Sequence, residues 1–438
     1  MKAPLGAKLK NLFKQDLVKK VRKAFIYQVF GAAAAFLSNV VLARFLGVNT
    51  YGVYSFSTNL QKLLLIPTLL GFGTYTLRYY PRKLEEKSWS HLKGYKRFTY
   101  LGITCMSILA IAISYIVIYH TKYVLPENRD PYMVFILSLP LYAFVNLLIA
   151  TAQARHKLTL ALLPNYVLLP ALLSFFNISI YYLITKNISA VAFAWIYVGS
   201  NLIILIYQII GLNRFKIKEL QFAKPVYAIK EWLSTSLPML FTSSLQILLK
   251  TADVFMIGLL MTPKDVGIYN AALKIDNIIL FGLTAVNFVE APIISKLYGA
   301  GDMKGLQKTV KQSAWLIFVF TIFISMPVVF FGKPILSLFG EEFKVAFWPL
   351  IIILISNVFN ALSGSVGLLM SMTKHQKEAF YITAASALIC IVLNYFFINL
   401  WGIMGASIAI AISVIVRNVT MVVYVKKVVG INATVFPY

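Results

Sequence analysis

The feature that most constrains this chain is a succession of apolar runs, each long enough to cross a bilayer. A helix needs about 20 predominantly apolar residues to span the hydrocarbon core. Twelve such runs occur, at approximately 24–46, 54–77, 98–119, 132–152, 159–184, 190–212, 234–260, 267–291, 313–332, 347–372, 379–400 and 402–425. No gap between them is long enough for a separate soluble domain. Hydrophobic residues make up 59% of the 438 and charged residues 13%, whereas a soluble domain carries about 25% charge. Too little polar surface exists to cover a soluble globule. Disorder, a collagen repeat and a disulfide scaffold are excluded as well. The expected fold class is all-α, a polytopic integral membrane protein of about twelve transmembrane helices.

The net charge of +26 suggests a nucleic-acid binder until the basic residues are located. One alternate set of connections comprises the N-terminus, 78–97, 153–158, 213–231, 295–312, 373–378 and the C-terminus. It holds 30 of the 41 Lys and Arg residues, and the opposite set holds 6. Such a bias marks the cytoplasmic side. Both termini are expected there, in agreement with an even number of spans. Cleavage of the first run as a signal peptide would break that agreement, and the run is long for a signal sequence. Residues 4–23 place Leu5, Leu9, Leu12, Phe13, Leu17 and Val21 at helical spacing among lysines. This predicts an amphipathic helix on the anionic leaflet, with a disordered basic tail as the alternative. Cys105 and Cys390 lie in apolar runs and are expected to be buried thiols.

The two halves echo one another. Leu46-Gly47-Val48-Asn49-Thr50-Tyr51-Gly52-Val53-Tyr54 is matched by Leu260-Met261-Thr262-Pro263-Lys264-Asp265-Val266-Gly267-Ile268-Tyr269. Each is followed by a span, a basic loop and another span. Six spans per half give repeats related by an axis along the membrane normal. The expected organisation is a basic segment 1–23, a six-helix bundle 24–212, a linker 213–231, a second bundle 232–425 and a cytoplasmic tail 426–438. The two pseudo-symmetric bundles are expected to face a central cleft and to work by alternating access.

Four stretches carry a family resemblance: Arg44-Phe45-Leu46-Gly47 running to Tyr51-Gly52-Val53-Tyr54; Leu70-Gly71-Phe72-Gly73 leading to Arg78-Tyr79-Tyr80-Pro81; Asp253 followed by Val266-Gly267-Ile268-Tyr269; and Gly402-Ile403-Met404-Gly405-Ala406. With the layout, they resemble the polysaccharide (O-antigen) flippases of the multidrug, oligosaccharidyl-lipid and polysaccharide exporter superfamily. The resemblance covers the whole chain in layout and a small part of it in motifs. It implies movement of polyprenyl-linked oligosaccharides from the cytoplasmic to the outer leaflet of the cell membrane. The carrier would be undecaprenyl in bacteria or dolichyl in archaea. The expected partners are that lipid and the bilayer, with Na+ or H+ for coupling, no nucleic acid and no cofactor, the protein acting as a monomer.

Ionisable residues inside a membrane are costly and mark function by default. Here they are Arg44, Lys62, Lys250, Asp253, Lys274, Asp276, Glu290 and Arg417. Lys62 lies eight residues into its span, roughly 12 Å deep at 1.5 Å per residue. Asp253 and Lys274 lie at similar depth on adjacent antiparallel helices, so they are expected to pair. Lys62 has no acidic partner in the first six spans. An unpaired cation must face water or an anion. Lys62, Lys250 and Lys274 are therefore expected to line a cationic cleft, with Arg44 at its outer mouth and Arg78 and Arg155 at its cytoplasmic entrance. Polar groups for sugar hydroxyls would come from Asn39 and Gln61, with Gln28, Asn59, Gln246, Asn277 and Asn287. Asp253, Asp276 and Glu290 either couple an ion or serve as structural partners. Pro67, Pro140, Pro164, Pro170, Pro238, Pro327 and Pro349 interrupt predicted spans, as hinges or static kinks.

No phosphate-binding glycine loop, H-E-x-x-H pair or metal-ligand spacing of the four histidines occurs, so no catalytic or metal residue is expected. A multidrug cation antiporter of the same superfamily is the first alternative. The excess of membrane lysines argues against it. A membrane glycosyltransferase or polymerase is the second, and it would need a substantial outer loop that this sequence lacks.

Overall fold

The computed structural model describes residues 5–121, 124–215 and 217–436. The side chains of residues 5–26, Gln28, Lys218, Thr242, Gln246, Phe281, Gly282, Ala285 and Phe288 are outside the described set. The amphipathic face expected over 4–23 and the roles expected of those two glutamines thus lie outside the described residues.

The chain is a series of helices: α1 (Leu5–Leu69), α2 (Phe72–Glu85), α3 (Trp89–His120), α4 (Pro126–Leu137), α5 (Leu139–Ala154), α6 (Leu158–Leu163), α7 (Leu169–Leu183), α8 (Ala190–Asn213), α9 (Lys218–Phe222), α10 (Ile229–Leu260), α11 (Pro263–Gly299), α12 (Met303–Ser337), α13 (Phe347–Leu362), α14 (Val366–Met372) and α15 (Gln376–Val428). A π-helical turn, Pro164–Leu168, joins α6 to α7. Among the described residues, eight helical stretches are long and apolar enough to cross a membrane, and the bent α10 adds a ninth. Two of these are double. The 53 residues of α15 would extend about 80 Å if straight, far beyond a core of about 30 Å. The chain breaks instead at Gly402 (φ 59°, ψ −138°), as α1 breaks at Gly47 (φ 74°, ψ 166°). Backbone at these angles is essentially restricted to glycine, so each run supplies two passes. Helix α11 holds the apolar run 267–291 of the sequence. Counted as a pass, it completes the twelve.

Apolar side chains face outward as well as inward. Leu101, Ile108, Ile113 and Ile116 of α3 are all more than half exposed, as lipid-facing residues must be. Cys105 shares that outer side and is exposed, so the expectation that both thiols are buried holds only for Cys390. In a membrane an apolar run seeks lipid as readily as protein, and sequence polarity does not separate the two. Polar residues mark the interior instead, among them Asn177, Ser200, Asn201, Gln208 and Asn394.

Two compact units are present. One comprises residues 1–45 and 64–241, the other 46–63 and 242–438. The second arm of α1, placed by the sequence repeat in the bundle 24–212, thus clusters with the later half over residues 46–63. In the first unit, Phe72, Tyr75, Tyr79, Tyr95 and Trp232 form an aromatic core. In the second, Leu306, Val310, Leu369, Met370, Met421 and Val425 form an aliphatic one. The end of the chain joins it. Val429, Ile431, Ala433 and Val435 are buried, and Gln307 holds Asn432 by two hydrogen bonds of 2.8 Å. Pro140 and Pro349 sit in the first turns of α5 and α13. The missing N–H costs nothing there, so these two begin helices and do not interrupt them.

Candidate functional site

The two echoed motifs of the sequence meet inside the second unit. A Cβ on Gly52 would lie 1.7 Å from the Pro263 carbonyl oxygen, and one on Gly267 would lie 3.2 Å from the Gly52 Cα. Helix α11 therefore crosses the second arm of α1 backbone to backbone, glycine against glycine. This approach brings polar side chains together. Asn270 donates its side-chain amide to Ser55 Oγ at 2.7 Å and to the Tyr51 hydroxyl at 3.2 Å. Phe56 stacks on Phe255 of α10.

Beside this crossing, α10 and α11 hold a carboxylate group. Asp253 is 1% exposed. Its Oδ2 accepts the Tyr269 hydroxyl at 2.8 Å, and its Oδ1 accepts the Val254 N–H at 2.8 Å. Asp276 is also buried, accepts the Asn357 side-chain amide, and lies near enough to Asp253 for their charges to interact. Glu290 is buried further along α11.

The lysines form a separate group. Lys62 and Lys274 are half-buried and Lys250 is exposed. Lys62 lies close enough to repel both of the others. Among the described residues no carboxylate forms an ion pair with any of the three. The expected pairing of Asp253 with Lys274 is therefore not formed. The reason is helical phase. Tyr269 is the α11 residue that faces Asp253, and Lys274 follows it by five residues, about 1.4 turns, on another side of the helix.

The remaining candidates are dispersed. Gln61 is fully buried in the second unit. In the first unit, Asn39 donates its amide to the Ala35 carbonyl at 2.7 Å. Arg44 is exposed near the Gly47 break, and Arg78 is exposed on α2. Arg155 ends α5 and donates to the Phe215 carbonyl. Tyr51, Ser55, Tyr269, Asn270 and Asn357 were not legible as site residues. The first four stand in or beside the echoed motifs, and that repetition was their only signal.

The Tyr269–Asp253 bond gives a direct test. Tyr269→Phe removes a donor from a buried carboxylate, a loss worth about 1–3 kcal/mol. Thermal unfolding in detergent should show this cost, and a smaller one in an Asp253→Asn background. Equal costs in both backgrounds would deny that the bond matters.

Long apolar helices, two of them broken at glycines, with ionisable groups buried along them, make this a multi-pass helical membrane protein. The fold is that of the multidrug, oligosaccharidyl-lipid and polysaccharide exporter superfamily. An inward-facing transporter of its multidrug (MATE) branch matches with a TM-score of 0.74 and 13% identity, covering 91% of this chain and 94% of that one. The lipid II flippase MurJ in an inward closed conformation matches with a TM-score of 0.72 and 15% identity, covering 92% and 87%. The chain belongs to the polysaccharide biosynthesis protein family, which matches residues 17–298, and the MatE family matches 238–396. The probable low-salt glycan biosynthesis flippase Agl15 of Haloferax volcanii is 25% identical over 181 residues, 41% of this chain. The match spans 38% of that relative's length.

Proposed function

We propose that this protein is a flippase that carries polyprenyl-(pyro)phosphate-linked oligosaccharides from the cytoplasmic to the outer leaflet by alternating access. The observation that carries this reading is the group Lys62, Lys250 and Lys274, in which Lys62 repels each of the other two and no carboxylate is in ion-pair contact among the described residues. Cations held together in a membrane protein are stabilised by an anionic ligand, and a lipid pyrophosphate is such a ligand. Gln61 and Asn39 would serve the sugar hydroxyls, Arg44 the outer mouth, and Arg78 and Arg155 the cytoplasmic entrance. Both termini would then be cytoplasmic and the site that of a monomer, with an undecaprenyl or dolichyl carrier. Asp253, Asp276 and Glu290 are the buried carboxylates through which Na+ or H+ would bias the cycle. The description of Agl15 as a glycan biosynthesis flippase and of MurJ as a lipid II flippase supports the reading.

The multidrug alternative draws on the MatE match and the TM-score of 0.74. Cationic drugs would be repelled by the lysine group, which favours the glycan reading. Proteoliposomes holding the native chain decide between them. A fluorescent polyprenyl-pyrophosphate oligosaccharide should become accessible on the opposite leaflet, and a cationic dye should not be moved. Dye export without glycan movement would replace this reading with the multidrug one.

A further inference from the structure

The first unit contains a cavity of about 460 Å³ that the lysine group does not use. Its walls come from α2, α3, α5, α8 and the segment around α9. Lys93, Lys96, Arg97 and Arg155 line it, together with Tyr80 and Tyr100. No Asp or Glu side chain is among its lining residues. The cavity lies where α3 begins and where α5 and α8 end, so it sits at the depth at which these helices leave the apolar core. Lipid head groups occupy that depth.

Two of the cations also shape the opening. Lys93 donates to the Gln221 carbonyl at 2.5 Å, and Arg155 donates to the Phe215 carbonyl. Lys157 lies 3.6 Å above the Phe215 ring. Gln221 is thereby tied to α3 and Phe215 to the end of α5, at the lip of the cavity. A lysine has three donors and an arginine five, so each cation keeps donors beyond the one that binds the lip. An apolar track leaves from the same place. Leu202, Ile206 and Ile209 recur on one face of α8, each more than two-fifths exposed, and Ile209 itself lines the cavity.

We propose that this cavity binds the phosphate head group of an anionic membrane lipid, with the hydrocarbon chain lying along α8. Phosphate chemistry follows from the concentration of cations without a lining carboxylate. A lipid source follows from the depth of the cavity and from the apolar track. Basic pockets between transmembrane helices bind head groups by this combination of charge and position. Arg155 is shared with the proposed cytoplasmic entrance, so the test uses Lys96 and Arg97, which that reading does not involve.

The test is equilibrium binding of phosphatidylglycerol and phosphatidylcholine to the full chain in a neutral detergent. The native protein should prefer phosphatidylglycerol. The exposed pair Lys96→Gln/Arg97→Gln should weaken phosphatidylglycerol binding about 25-fold, since each basic residue near a charged lipid surface is worth about a factor of five. The charge-matched pair Lys304→Gln/Lys308→Gln, exposed on α12 of the other unit, should leave it unchanged. Elution profiles of both variants would establish that they are folded. Equal weakening by both pairs would reduce the effect to overall charge and overturn the site. Inorganic pyrophosphate alone should bind far more weakly than the lipid. Equal affinity for pyrophosphate, lost in Lys96→Gln/Arg97→Gln, would overturn the lipid source and assign the cavity to soluble phosphate.

Discussion

Replacing Lys62 with methionine is expected to cut oligosaccharide translocation by roughly 30-fold, while the melting temperature stays the same or rises. The two effects have one cause. An ammonium bonded to a phosphate oxygen in a partly dry site is worth about 2 kcal/mol or more to the bound complex, which sets the factor in rate. Without substrate the same ammonium is a liability, because Lys250 and Lys274 repel it. Methionine stands in for the unbranched aliphatic stem of lysine and removes the charge. Functional sites regularly cost stability in this way. Translocation assayed in proteoliposomes and unfolding followed in detergent would separate the cases. A fall in both would give Lys62 a structural role. Unchanged transport would remove it from the site.

The second large effect is predicted at the crossing of α1 and α11. Gly52→Ala should lose most of the folded protein. The added Cβ would stand 1.7 Å from a backbone carbonyl oxygen, which cannot move aside without separating the two helices. Overpacking against rigid backbone belongs to the small class of single changes that cost about 4 kcal/mol or more. A membrane-protein unit has little more than that to lose if its stability resembles the 5–15 kcal/mol of soluble domains. Gly267→Ala should be damaging too, since its Cβ would meet the Val48 carbonyl at 2.6 Å. Gly199→Ala is the control. Nothing lies within 4 Å of a Cβ there, and alanine in a helix is worth up to about 1 kcal/mol over glycine. Monodisperse yield after detergent extraction ranks the three. If Gly52→Ala extracts and melts like Gly199→Ala, the crossing is looser than described.

The crossing also shows what repetition in the sequence was recording. The echoed motifs around Gly52 and Gly267 looked like corresponding points in two separate bundles. In the structure they pack on each other, and the residues beside them, Tyr51, Ser55, Tyr269 and Asn270, build a hydrogen-bonded core. No periodicity distinguishes that arrangement from two independent turns. The contact depends on the second arm of α1 clustering with a segment some 200 residues away.

The sequence by itself determined the all-helical membrane class, the number of passes and the few ionisable groups inside them. The physical reason is the solvent. Hydrocarbon cannot hydrogen-bond, so every crossing segment must be a long apolar helix, and every charge within one stands out. Only the tertiary structure decided the partners of those charges. Asp253 took a tyrosine one face away from the lysine expected for it, and the three lysines were left together. The cavity of the first unit was hidden for the same reason. Its Lys93, Lys96 and Arg97 read along the chain as loop charges that orient the protein, and Arg155 as a residue of the cleft entrance, and only the packing of α2, α3, α5 and α8 brought the four to one pocket. Helical phase and long-range packing fix such groupings, and neither is carried by composition or by local spacing.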